Sequence, residues 1–149
     1  MRALFLLSFS ALCACGTVQS PNHEEPTIEN TQIKIVAGEQ VYVEVAVQNN
    51  VIVGMQKVGN IIDPKSTMKF KFVRDDSRKL MTLSVENPLS RPVKYHIDMV
   101  DYQGGLHNTS SCPVIAGGSA YETWPHPIPE LRITNLHFAS EEEKGVCIY

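Results

Sequence analysis

Leu83-Ser-Val-Glu-Asn-Pro-Leu-Ser-Arg-Pro-Val-Lys-Tyr-His-Ile-Asp98 decides the fold. Met81, Leu83 and Val85 alternate with Thr82, Ser84 and Glu86. The run ends at Asn87-Pro88, turns, and returns with Val93, Tyr95, Ile97 and Met99 alternating with Lys94, His96 and Asp98. Alternation at period two puts one face of each strand in a core, the buried Tyr95 included, and the other in water, as antiparallel sheets do. The pattern continues on both sides. Val41, Val43, Val45 and Val47 alternate with Tyr42, Glu44 and Ala46, and Met68, Phe70 and Phe72 alternate with Lys69 and Lys71. Turn signals separate the runs at Gly38-Glu39, Asn49-Asn50, Asp63-Pro64-Lys65, Asp75-Asp76-Ser77, Gln103-Gly104-Gly105 and Gly117-Gly118. Asn49-Asn50 suits a two-residue hairpin, because Asn tolerates positive φ. Strands are expected near 32–36, 41–48, 51–58, 67–74, 79–86, 93–101, 113–123 (interrupted) and 130–138, with a short tail at 145–148. Such spacing is the signature of an all-β sandwich or barrel. Apart from the apolar opening of the chain, only Ser140 to Lys144 favours helix.

The Leu83–Asp98 passage resembles the paired strands of immunoglobulin-like modules. Across residues 79–138 the chain is similar to small periplasmic Ig-like lipoproteins of Gram-negative bacteria, including the YcfL-like group, with Asp101-Tyr102-Gln103-Gly104 where that group has a Tyr-x-Asp-x-x-Gly-like turn. The resemblance implies an Ig-like antiparallel β-sandwich of about seven to nine short strands. It transfers no catalytic residue.

The opening has one positive residue, Arg2, and an apolar stretch from Ala3 to Leu12, followed by Cys13-Ala14-Cys15-Gly16. This has the layout of a signal peptide. The apolar run is about ten residues, against the roughly 20 needed to span a bilayer. Leu12-Cys13-Ala14-Cys15 resembles the lipobox of bacterial lipoproteins. That resemblance implies removal of residues 1–14 and lipidation of Cys15, with residues 15–30 a polar, proline-containing flexible tether and 31–149 the sandwich domain. A plain secretory signal is the rival, and Ala11-Leu12-Cys13 is a poor cleavage site for one. Gly16 is not the Asp that retains such lipoproteins in the inner membrane, so the resemblance implies the outer membrane, periplasmic face. Two or more acyl chains would make the anchoring stable.

With Cys15 as the anchor and Cys13 discarded, Cys112 and Cys147 remain for one disulfide. In a cytosolic chain the same two residues would read as buried free thiols, but the periplasm is oxidising. A loop of about 35 residues closed this way stabilises by roughly 3–4 kcal/mol. The bond would staple a final strand, Gly145–Tyr149, onto the body. No Cys-x-x-Cys is present, which argues against redox catalysis.

The net charge of −3, about −4 without Arg2 at ordinary pKa values, and the scattered Lys and Arg argue against nucleic acid as a partner. Gly-x-Ser-x-Gly, His-Glu-x-x-His, a phosphate-cradling loop and paired-cysteine zinc motifs are all missing, so no catalytic residue is assigned and no cofactor is expected. His96 and Asp98 share the polar face of one strand, and His107 or His137 from a neighbour could in principle complete a divalent metal site; a solvated polar strand face is the favoured reading, and no metal ligand is assigned. Glu141-Glu142-Glu143 reads as a solvated acidic turn.

Tyr121-Glu-Thr-Trp-Pro-His-Pro-Ile-Pro129 is the most unusual stretch. Its closely spaced prolines make a stiff, extended strip. In one reading Tyr121, Trp124, His126 and Ile128 form a ridge that docks a partner, because aromatic anchors and low ordering cost favour binding. In the other, Trp124 plugs one end of the sandwich and the prolines route the chain between sheets. The valine-rich hairpin from Val41 to Val58 is core if buried on both faces and a partner patch if one face is open.

The leading expectation is a lipid-anchored, non-enzymatic binding or scaffold module of the cell envelope, partnered by the membrane through its anchor and by another envelope protein. The alternatives are a metal-dependent or enzymatic protein using His96, Asp98 and His107, and a carrier of a small apolar ligand held between the sheets.

Overall fold

The computed structural model describes residues 32–147. The expected signal peptide, Cys15 and the tether lie outside the described residues. The nine strands are β1 (Gln32–Val36), β2 (Gln40–Gln48), β3 (Val51–Val58), β4 (Thr67–Asp75), β5 (Leu80–Glu86), β6 (Val93–Val100), β7 (Leu106–Thr109), β8 (Ser119–Trp124) and β9 (Glu130–Phe138). No helix occurs among the described residues, and Ser140 to Lys144 forms turns.

The strands build two antiparallel sheets, ordered β1-β9-β6-β7 and β3-β2-β4-β5-β8. The chain crosses from one sheet to the other between β1 and β2, β5 and β6, β7 and β8, and β8 and β9, and β5 pairs with β8 and β6 with β9. These are the B–E and C–F pairings of the immunoglobulin fold. The neighbour of β9 on its other side is β1, antiparallel from Gln32↔Thr134 to Val36↔Glu130. The N-terminal strand thus occupies the place that strand G takes in an Ig domain.

Each alternating run buries the face expected of it. Ile33, Ile35, Tyr95, Ile97, Leu131 and Ile133 meet Val43, Met68, Phe70, Phe72, Leu83 and Val85 across the gap between sheets. Phe70 stands edge-on to Tyr95, with ring centroids 6.1 Å apart. Burying a side chain of this size contributes about 1.5–3 kcal/mol. The β2–β3 hairpin turns at Asn49 and Asn50, with φ of 48° and 66°, the left-handed pair that a type I′ turn requires. A register shift between Ala46 and Val47 ends the burial of β2. Val41, Val43 and Val45 are core, whereas Val47 and Val51 are exposed.

Asn87 fixes the crossing from β5 to β6. It is buried, its Nδ2 donates to the carbonyls of Arg91, Val114 and Ile115 at 2.9–3.1 Å, and its Oδ1 accepts the Leu89 N–H. The Asn-Pro turn signal is therefore also a hydrogen-bonding hub.

Three sequence expectations are corrected. β7 is a strand that the alternation did not announce. The stretch 113–123 yields strand only from Ser119, with Val114 making an isolated bridge to Val93. Residues 145–147 are not strand, although the bond that holds them is present: Cys112 and Cys147 are disulfide-linked, with Cα atoms 4.2 Å apart. Under this clamp the buried Lys94 Nζ donates to the Ser111 and Val146 carbonyls at 2.9 and 3.0 Å.

Candidate binding site at the open end of the sandwich

β8 ends at Trp124, whose indole lies in the core at 7% exposure, edge-on to Phe72 with centroids 6.2 Å apart. From there Pro125-His126-Pro127-Ile128-Pro129 carries the chain across to β9. Proline supplies no N–H and fixes φ, so a crossing rich in proline leaves few donors to satisfy and little freedom to lose. The strip is fastened where Ala37 N–H donates to the Pro129 carbonyl at 2.9 Å. Pro125, His126 and Pro127 form its exposed crest, whereas Ile128 turns inward at 3% exposure.

Facing the strip is the β6–β7 hairpin. Its turn is organised by Asp101, whose Oδ1 accepts the N–H groups of Gln103 and Gly105 at 2.9 and 2.8 Å. A side chain at Gly105 would drive its Cβ to 2.6 Å from that carboxylate. Oδ2 lies 2.8 Å from His107 Nε2. The His107 ring, aided by the two backbone N–H groups, holds the Asp101 carboxyl below its usual range. Met99 and His107 are register partners, and the sheet carries both to the end of the sandwich, where β8 has stopped.

Between hairpin and strip lies a hollow of about 320 Å³, lined on one side by Met99, Val100 and Tyr102 and on the other by Pro127, Ile128 and Pro129, with Asp101, His107 and His126 as its polar rim. Tyr102 stands at its lip, 74% exposed. Its size lies at the lower end of the range of small-ligand pockets, about 300–1,000 Å³, and its apolar walls carry a few polar groups. On the other flank of the strip a smaller hollow of about 140 Å³ is lined by Arg74, Lys79, Leu80 and Met81, and it shares His126 and Pro127 with the first. At the opposite end of the molecule, a hollow of about 640 Å³ is bordered by Val47, Asn50, Asp63 and Arg91. There Arg91 donates to the Asn50 carbonyl and stacks on Phe138.

The four residues expected to form one ridge are dispersed. Trp124 and Ile128 are core, which corrects the ridge reading for both. Trp124 plugs the end of the sandwich instead, its Nε1–H donating to Thr109 Oγ1 at 3.1 Å. Tyr121 is 69% exposed but belongs to the outer face of its sheet, paired with Ser84 rather than facing the strip. Only His126 is both on the crest and exposed. Sequence reasoning gave Met99 and Tyr102 no part in a site, and gave His107 only a part in a metal site, not in this hollow. The signal was the Asp101–Gly105 turn: it predicted a reversal, but not that the returning strand would face the proline strip.

The metal candidates do not converge. His96 Nε2 sits 3.1 Å from Asp98 Oδ1, in register with Thr134 and Arg132 on β9. His107 is paired with Asp101, and His137 lies 3.1 Å from a Glu143 carboxylate oxygen. Among the described residues no three His, Cys, Asp or Glu side chains gather closely enough to hold a metal ion. The middle of the sandwich is filled by Phe70, Phe72 and Tyr95, so the apolar hollow opens at the end of the domain rather than between the sheets. Comparisons with family models, curated proteins and solved structures return no match.

Proposed function

We propose that this protein is a non-enzymatic binding module of the bacterial cell envelope, lipid-anchored through Cys15 on the periplasmic face of the outer membrane, and that it docks a partner envelope protein at the open end of the sandwich. The observation that carries the docking reading is the apolar hollow between the proline strip and the β6–β7 hairpin. It presents Tyr102 and His126 on a rigid frame, and prior rigidity lowers the entropy lost on association. The anchor rests on the Leu12–Cys15 motif, and confinement at one membrane raises the effective concentration of module and partner.

The test has two arms. Intact mass of the membrane-extracted protein should show loss of residues 1–14 and added acyl chains; a mass starting at an unmodified later residue would remove the anchor. In-cell cross-linking followed by purification should capture a specific envelope protein with wild type and lose it with Tyr102→Ala/His126→Ala. Both residues are exposed, so the variant should fold normally. A partner retained by a folded double variant would place the site elsewhere.

A further inference from the structure

Resting on that reading, we infer that the docked segment is an acidic peptide of the partner protein, inserting an apolar side chain into the larger hollow and laying carboxylates across the strip toward Arg74 and Lys79. Three observations support this. The two hollows adjoin across the strip, because His126 and Pro127 wall both. Their chemistry differs: the larger is lined chiefly by Met99, Val100, Tyr102 and proline rings, with the Asp101 carboxylate at its rim already engaged by His107 and two backbone N–H groups, whereas the charged groups lining the smaller are both cations. The carboxylates of the β4–β5 turn are not in that lining and have partners of their own. Asp75 accepts the N–H groups of Ser77 and Arg78 at 3.0 and 3.2 Å. Asp76 meets Arg74 Nε at 2.8 Å in a pair that is exposed on both sides, and a water-exposed pair of this kind exchanges readily for another carboxylate.

An anionic membrane surface would also complement Arg74 and Lys79. Insertion into lipid, however, needs a cluster of projecting apolar side chains; of the hollow's apolar lining Tyr102 projects, while Met99, Val100 and Ile128 form a recess and the crest carries His126 between two prolines. A recess receives a side chain from the partner. The expected ligand is therefore an apolar residue flanked by Asp or Glu.

The full chain purified in detergent is titrated against a fluorescein-labelled hexapeptide with two glutamates on each side of a central Leu-Phe pair, read by anisotropy. The control replaces the glutamates with lysines. The acidic peptide should bind and the basic one should not. Arg74→Ser/Lys79→Ser should weaken the acidic peptide about tenfold, as loss of complementary charges at an interface does, and Tyr102→Ala should weaken it by a salt-independent factor. Equal binding of the two peptides, no binding of either, or indifference to the double variant would overturn the inference. So would displacement of the peptide by phosphatidylglycerol vesicles but not by phosphatidylcholine vesicles, which would assign the cations to lipid. If an envelope partner is captured at Tyr102 and His126 while the acidic peptide fails, the docking reading stands and only the acidic character of the ligand falls.

Discussion

The indole N–H of Trp124 donates to Thr109 Oγ1 at 3.1 Å, tying β8, the edge of one sheet, to β7, the edge of the other. With Trp124 and Thr109 both buried, this bond closes the core between the two sheet edges. Thr109→Val keeps the shape but strands the indole N–H, and should cost about 1–3 kcal/mol. A double-mutant cycle with Trp124→Phe should return a coupling of about 1 kcal/mol by urea unfolding. Additive effects would show that the contact is incidental.

Trp124→Ala, by contrast, should read out stability. Emptying a core position of this size costs about 3–5 kcal/mol, so binding lost in that variant should be accompanied by a lowered unfolding midpoint. The exposed pair Tyr102 and His126 separates the two effects, because its replacement should leave the midpoint unchanged.

Asn87 offers a second test of how the fold is held. Its amide donates to three backbone carbonyls and accepts the Leu89 N–H. Asn87→Ala should destabilise by about 2–3 kcal/mol through the unsatisfied groups left behind. Asn87→Asp should be worse at neutral pH, because a carboxylate would face three carbonyl oxygens. Protein that unfolds at the wild-type denaturant midpoint in both variants would contradict this account.

The parts of the fold legible in the sequence were those governed by side-chain period and turn chemistry. Met81 through Met99 announced β5 and β6, and Asn49-Asn50 announced its hairpin, because alternation and positive φ are local properties. β7 escaped because Leu106-His-Asn-Thr109 is short, sits at a sheet edge and alternates weakly. Gly145–Cys147 misled because its apolar residues serve a covalent clamp rather than a sheet. The site was half legible: the proline strip was conspicuous, but which of its residues point outward depends on where β8 stops, a tertiary fact. Lys94 shows the same limit. Its place in an alternating run predicted a solvated lysine, yet the C-terminal segment folds over it and supplies a carbonyl.

That segment makes the disulfide more than a loop closure. Cys112→Ser/Cys147→Ser should lower stability by roughly 3–4 kcal/mol from the unfolded-chain entropy of a loop this long. Because Lys94 Nζ also loses the Val146 carbonyl, hydrogen exchange should accelerate along residues 139–147 well before global unfolding. Unchanged exchange there after reduction would show that the segment is held by other contacts.

The same segment should respond to acid. Ser140 N–H and then His137 hold the Glu143 carboxyl down to about 2, from an ordinary 4.5. A depressed carboxyl contributes stability that is full above its unfolded value and is lost as the pH falls through its folded one. Protection of the Ser140 amide should therefore be constant above pH 4.5 and fall toward pH 2. Glu143→Gln should abolish that acid step. A wild-type carboxyl titrating near 4.5 by NMR would contradict the pairing.

The docking claim is tested most directly by placing a photo-cross-linking benzoylphenylalanine, in cells, at Tyr102, His126, Tyr121 or Lys34 in turn. The account predicts one common envelope-protein adduct from Tyr102 and His126, and none from Tyr121 or Lys34 on the outer sheet faces. An adduct formed from Tyr121 or Lys34 while Tyr102 and His126 stay silent would contradict it.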